Sequence, residues 1–159
     1  MTIAHVVARP LLAGVFIYGG IDALRSAGKK VDVASPVLEP LERATGMDGP
    51  TLVKVNAGAQ VVAGACLALG ILPRPAAAVL ALSLVPTTLA GHRPWDQDDP
   101  KARSAQTIHL LKNVAVLGGL VFAATSTGGR PSLPWRAKRA AHQLAASSAD
   151  TLEHLRHTG

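Results

Sequence analysis

The chain has a single cysteine, Cys66. One thiol makes neither an internal disulfide nor a CxxC couple, so dithiol redox chemistry within the chain is excluded. Lying in an apolar run, Cys66 reads as a small core hydrophobe. Charge is scarce too: 16% of the 159 residues are Asp, Glu, Lys or Arg, against about 25% in an ordinary soluble domain. No two histidines have the i, i+4 spacing of a helical metal site, and no metal is expected. No inverted repeat is visible. Nothing basic precedes Arg9 and Arg25 stands where a cleavage context needs small residues, so the first apolar stretch reads as a retained span. The net charge of +6 is spread over loops and tail instead of striping one face with interleaved aromatics, which excludes a nucleic-acid partner.

What the chain does have is four apolar stretches, at residues 3–24, 51–72, 75–91 and 105–125. Val55 to Leu72 and Pro75 to Gly91 contain no charged residue, and both come close to the roughly 20 apolar residues that cross a bilayer. The charges gather between and after the stretches. The fold expected is all-α: an integral membrane four-helix bundle, up-and-down, over residues 1–127, with a hydrophilic basic C-terminal tail over 128–159. The connection 25–50 reads as a polar link with a short surface helix from Pro36 to Thr45. Pro73-Arg74-Pro75 is a tight reversal that makes spans two and three antiparallel neighbours. Pro86 should kink span three, with Thr87 and Thr88 re-satisfying freed backbone groups. Small residues at Gly14, Gly19 and Gly20, at Ala59 and Ala63 with Gly64 and Ala68, and at Ala115, Gly119 and Ala123 allow helices to approach closely.

Followed up and down through the bilayer, the polar residues inside the spans collect at one level: Tyr18 and Asp22, Asn56 and Gln60, Thr87 with Thr88 and His92, then His109, Lys112 and Asn113. Ionisable groups at membrane depth are costly, so they tend to face the bundle interior, pair, and mark pathways. Lys112 with Asp22 is the pair this arrangement predicts, and His109, on roughly the same face as Lys112, supplies a group that exchanges protons near neutral pH. The competing reading is interfacial anchoring by snorkelling, favoured for Lys54 and His92 at helix termini. Arg9 in the opposite half, and Arg136, Lys138 and Arg139 just after the last span, are candidates for lipid head groups. Counting basic residues leaves the orientation close, and the termini are placed in the cytoplasm.

Several segments resemble the DoxX family of small four-span bacterial membrane proteins. They are Arg9-Pro-Leu-Leu-Ala-Gly14, Asn56-Ala-Gly58 with Gln60, Leu84-Val-Pro86-Thr-Thr-Leu-Ala-Gly91-His92 followed by Trp95, and Lys112-Asn113-Val-Ala-Val-Leu-Gly118-Gly119-Leu120. The segment Gly129 to Arg136 is similar to actinobacterial members. His109-Leu-Leu ahead of Lys112, and Arg93-Pro94 ahead of Trp95, depart from the pattern. The resemblance implies a plasma-membrane bundle associated with redox systems, with quinone as candidate cofactor and a soluble oxidoreductase and further copies of the chain as candidate partners. It implies no catalytic residue. On this reading the chain is a non-catalytic or quinone-associated subunit of a membrane redox system. A small-molecule, proton or lipid transporter and a purely structural anchor are the alternatives.

Overall fold

The computed structural model describes residues 3–126 and Arg139. Among these, every regular element is helical: α1 (Ile3–Arg25), α2 (Ala27–Thr45), α3 (Gly49–Leu69), α4 (Pro73–Gly91), a 3-10 turn (Pro94–Asp96) and α5 (Pro100–Thr125). Contacts divide the chain into Met1–Thr125 and Ser126–Gly159. In the second unit Arg139 is helical and exposed. Arg136 and Lys138 lie outside the described residues.

Four helices, α1, α3, α4 and α5, are long and apolar enough to cross a bilayer. Their outward faces carry large apolar side chains, such as Leu11 at 71%, Leu82 at 75% and Phe122 at 72% exposure. A soluble monomer rarely shows contiguous apolar surface on this scale, whereas lipid is a solvent that matches it. The architecture is a helical membrane bundle.

Lipid tails are as apolar as leucine, so what holds such helices together is close packing and interhelical hydrogen bonding. The most extensive contact is between α1 and α3, and Gly20 sets its closeness. A Cβ added there would lie 2.8 Å from the Ala57 carbonyl oxygen and 2.8 Å from Val61 Cγ2. Gly64 makes the reciprocal approach, where a Cβ would lie 2.9 Å from Ile17 Cγ1. Gly14 and Gly19, equally plausible from sequence, face open space. The core lies between α1, α3, α4 and α5, around Phe16, Leu67, Leu80 and Leu120. Helix α5 is the least embedded: Leu120 is its one buried residue, and it barely touches α1. Arg74 fastens its far end, donating from Nε to Ala124 O (3.1 Å) and from Nη2 to Thr125 O (3.2 Å), carbonyls that a helix C-terminus leaves unpaired.

The connection after α1 differs from the short surface helix expected. Residues 27–45 are one helix, although Pro36 and Pro40 lie inside it. Pro36 has no N–H to offer the Asp32 carbonyl, and the Ser35 hydroxyl donates to that carbonyl instead at 3.0 Å. Leu38 and Ala27 are buried while Asp32, Glu39 and Arg43 are exposed, so the helix is amphipathic and lies against α3 and α4. Arg93 Nη2 donates to Val33 O at 2.7 Å, tying α2 to the segment after α4. Both connections, 26–48 and 92–99, therefore sit at the same end of the bundle.

Helix boundaries shift for identifiable reasons. Gly70 takes a left-handed φ of 73° and caps α3, with Gly70 N–H donating to Leu67 O (3.1 Å) and Ile71 N–H to Cys66 O (2.8 Å). The second span thus ends at Leu69 instead of residue 72, and the third begins at Pro73 instead of residue 75. The fourth span, α5, begins at Pro100 instead of residue 105, because Asp99 Oδ2 accepts the Ala102 N–H at 2.9 Å and proline suits the first helical position.

Replacing Gly20 by Ala should cost about 1–3 kcal/mol, because its Cβ meets backbone that must shift. Gly14→Ala, facing open space, should be neutral or stabilising by up to about 1 kcal/mol. Reversible unfolding of the detergent-solubilised protein compares the two, and equal effects would contradict the packing described.

Candidate functional site

The polar residues do stand at the α2 end of the bundle, yet they resolve into separate groups. Between α3 and α4, Asn56 Nδ2 and Gln60 Nε2 both donate to Thr87 Oγ1, each at 3.1 Å. Thr87 in turn donates to Ser83 O at 2.8 Å. Pro86 withholds a hydrogen bond from the Leu82 carbonyl, and the Thr87 hydroxyl goes to the adjacent Ser83 carbonyl instead of the freed one, so the re-satisfaction expected of Thr87 and Thr88 is not what their hydroxyls do. One turn separates Asn56 from Gln60, which places both amides on the α4-facing side of α3, and Gln60 is buried at 6% exposure.

Thr88, next in sequence, points to the other neighbour. It is buried and accepts from Asn113 Nδ2 of α5 at 3.0 Å. One turn further toward the helix end, His92 Nδ1 donates to Gln106 Oε1 at 3.0 Å. The His92 and His109 rings stack with centroids 5.0 Å apart and planes inclined by 9°. Gln106, His109 and Asn113 share one stripe of α5 at i, i+3 and i+7. That spacing was available in the sequence, but with α5 expected to begin at residue 105 Gln106 fell at its frayed end and escaped notice.

The predicted Lys112–Asp22 pair does not form. Asp22 Oδ2 is bound by Lys30 Nζ at 2.6 Å, with both side chains well exposed. A surface pair of this kind contributes about 0–1 kcal/mol, so its consequence is to occupy the carboxylate at the α1–α2 corner more than to stabilise the fold. Lys30 was read as a loop base because α2 was expected to start nine residues later. Tyr18, 80% exposed, points away from the bundle. Lys112 is exposed and makes no salt bridge among the described residues. It sits one residue, about 100° of helix, from the inward Asn113, and seven residues from Gly119, whose face looks toward Leu12 of α1. Its stripe is therefore the one turned toward α1, a helix that α5 barely touches. Arg9 is half-buried in the opposite half of α1. No group of three or more His, Cys, Asp or Glu residues placed to hold a metal occurs among the described residues.

The arrangement that results is neutral where it is interior and charged where it is exposed. Asn56, Gln60, Thr87, Thr88 and Asn113 form two hydrogen-bonded seams joined through the Thr87-Thr88 step of α4. Each amide nitrogen has a second N–H beyond the one committed. Among the described residues no donor is placed on the amide oxygens, and no fully buried side-chain polar atom there lacks a partner, so those oxygens are not sealed in the core. Such a site offers donors and acceptors side by side without a fixed charge. Thr87→Val should cost about 1–3 kcal/mol, because it removes the acceptor of two amides at once, whereas Thr87→Ser should retain most of the stability. Unfolding midpoints of the two variants in detergent test the seam.

The DoxX family model matches residues 4–93, more than half of the chain, spanning α1 to α4 and ending at Arg93. The Lys112 to Leu120 segment that carries part of the resemblance lies beyond the matched stretch. No curated protein and no solved structure matches the chain. The four bilayer-length helices and the family match agree, and the chain belongs to the DoxX family of membrane proteins.

Proposed function

We propose that the chain is a non-catalytic, quinone-associated subunit of a membrane redox system, with the amide seam of Asn56, Gln60, Thr87 and Asn113 as the head-group site. The observation that carries this reading is the neutral, two-handed character of the seam. An oxidised quinone presents carbonyl oxygens that accept hydrogen bonds, and the reduced form presents hydroxyls that donate them. A primary amide serves both, with its spare N–H for the first and its oxygen for the second. Apolar walls with a few convergent polar groups are what small-molecule sites are built from. The Lys112–Asp22 pair that a proton path through this layer would use does not form, since Asp22 is bound by Lys30.

The same reading puts the bundle in the bacterial plasma membrane with both termini cytoplasmic, so the α2 end and the amide seam lie toward the opposite leaflet. The basic tail, Arg136, Lys138 and Arg139 included, then meets the anionic inner leaflet and is placed to recruit a soluble oxidoreductase. Association of several copies fits the exposed apolar face of α5.

Titration of the purified protein with a short-chain ubiquinone or menaquinone analogue tests the site. Asn56→Ala and Asn113→Ala should each weaken binding by about tenfold, the loss of one hydrogen bond worth about 1.4 kcal/mol. Unchanged affinity in both variants, with their unfolding midpoints lowered, would leave the seam as interhelical adhesive alone and sink the proposal.

A further inference from the structure

A second site, independent of the amide seam, lies at the α2 end. A cavity of about 400 Å³ opens between α2, the end of α4, the 3-10 turn and the start of α5. Its size falls at the lower end of ligand pockets, roughly 300–1,000 Å³. Asp32 of α2 and Asp96 of the turn contribute carboxylates, Arg93 the one guanidinium, and Ser35, Gln97 and Gln106 neutral polar groups. The guanidinium is already committed: Nη2 donates to Val33 O at 2.7 Å and Nη1 approaches Asp96 Oδ2 at 3.3 Å. Arg103, behind the wall, donates from Nε and Nη2 to Gln97 O at 3.1 and 2.8 Å. Both arginines thus act as struts that fix the cavity's shape. The Asp32 carboxylate has no side-chain partner among the described residues, and Asp96 keeps an oxygen free.

Two carboxylates from different elements line the cavity against one guanidinium that is already engaged, which leaves its lining acidic. We propose that this cavity binds an amine-bearing head group, its ammonium held between Asp32 and Asp96. An –NH₃⁺ group has three donors and no acceptor, which suits carboxylate oxygens on two sides. A trimethylammonium offers no donor. Arg93 also lines the cavity and has N–H groups beyond its two contacts, the donors that a phosphate attached to the amine would use. The level is that of lipid head groups: the cavity lies at the bundle end beside Trp95, which is 59% exposed in the position of an interfacial anchor. Ethanolamine phospholipid and free phosphoethanolamine share this chemistry.

The full-length protein in detergent, carrying Trp135→Phe so that Trp95 is the sole tryptophan, reports occupancy by fluorescence. It is titrated with dihexanoyl phosphatidylethanolamine, dihexanoyl phosphatidylcholine and O-phosphoethanolamine. The expected result is a saturable change with an ethanolamine compound at a midpoint about tenfold or more below that of the choline lipid, as loss of charge-assisted hydrogen bonds predicts. Asp32→Asn, whose side chain supports no other contact, should raise the ethanolamine midpoint by a similar factor with the circular dichroism spectrum unchanged. Saturation by O-phosphoethanolamine identifies a free solute, and a response confined to the acylated compound identifies a lipid. Equal midpoints for ethanolamine and choline, no saturable response, or an Asp32→Asn variant that binds like the parent would each overturn the proposal.

Discussion

The approach of α1 to α3 at Gly20 is the contact on which the rest of the bundle depends. In a bilayer the hydrophobic effect inserts each helix but gives the helices little reason to adhere, so their mutual position is left to van der Waals packing and to hydrogen bonds between them. Gly20 lets the α1 backbone come against the Ala57 carbonyl, and the Gly20 contact extends to Gln60 Cβ. Gln60 in turn reaches Thr87 of α4. Packing of the first pair therefore aims the amide that links the second, and α4 carries the link onward to α5 through Thr88 and Asn113.

That chain of dependence separates two kinds of polarity that a hydropathy profile merges. Interior polar groups are neutral, hydrogen-bonded across helices and positioned by backbone geometry. At the α2 end, charged groups with partners sit where α1, α2 and the α4–α5 turn meet water: Asp22 with Lys30, Arg93 with Asp96 and Val33, Arg103 with Gln97. Burying an isolated charge at membrane depth costs several kcal/mol, whereas an amide with even one partner is far cheaper to place there. The seam and the interfacial cavity differ in the same way, one suited to a neutral ligand from within the bilayer and the other to a cation at its edge.

The long uncharged runs from Val55 to Leu72 and Pro75 to Gly91 made four helices and their antiparallel order legible, because span length and loop shortness are properties of the chain alone. The relation of Asn56 to Gln60 was legible for the same reason, being set by helical periodicity. Helix α2 was not. Two prolines and six charged residues between Ala27 and Thr45 read as a connection, and what keeps the helix whole is a side-chain substitute for a missing backbone donor together with a surface on α3 and α4 to lie against. Its length then decided that Lys30, and not Lys112, would face Asp22.

By itself the sequence determined that this protein is a helical membrane bundle and that its polar residues would gather toward one end, since the cost of exposing backbone and charge to lipid is paid residue by residue along each span. Only the tertiary structure decided which of those residues meet. Azimuth around each helix, the slight contact of α5 with α1, and the choice between Gly14, Gly19 and Gly20 as the point of closest approach depend on how neighbouring surfaces fit, and no single helix carries that information.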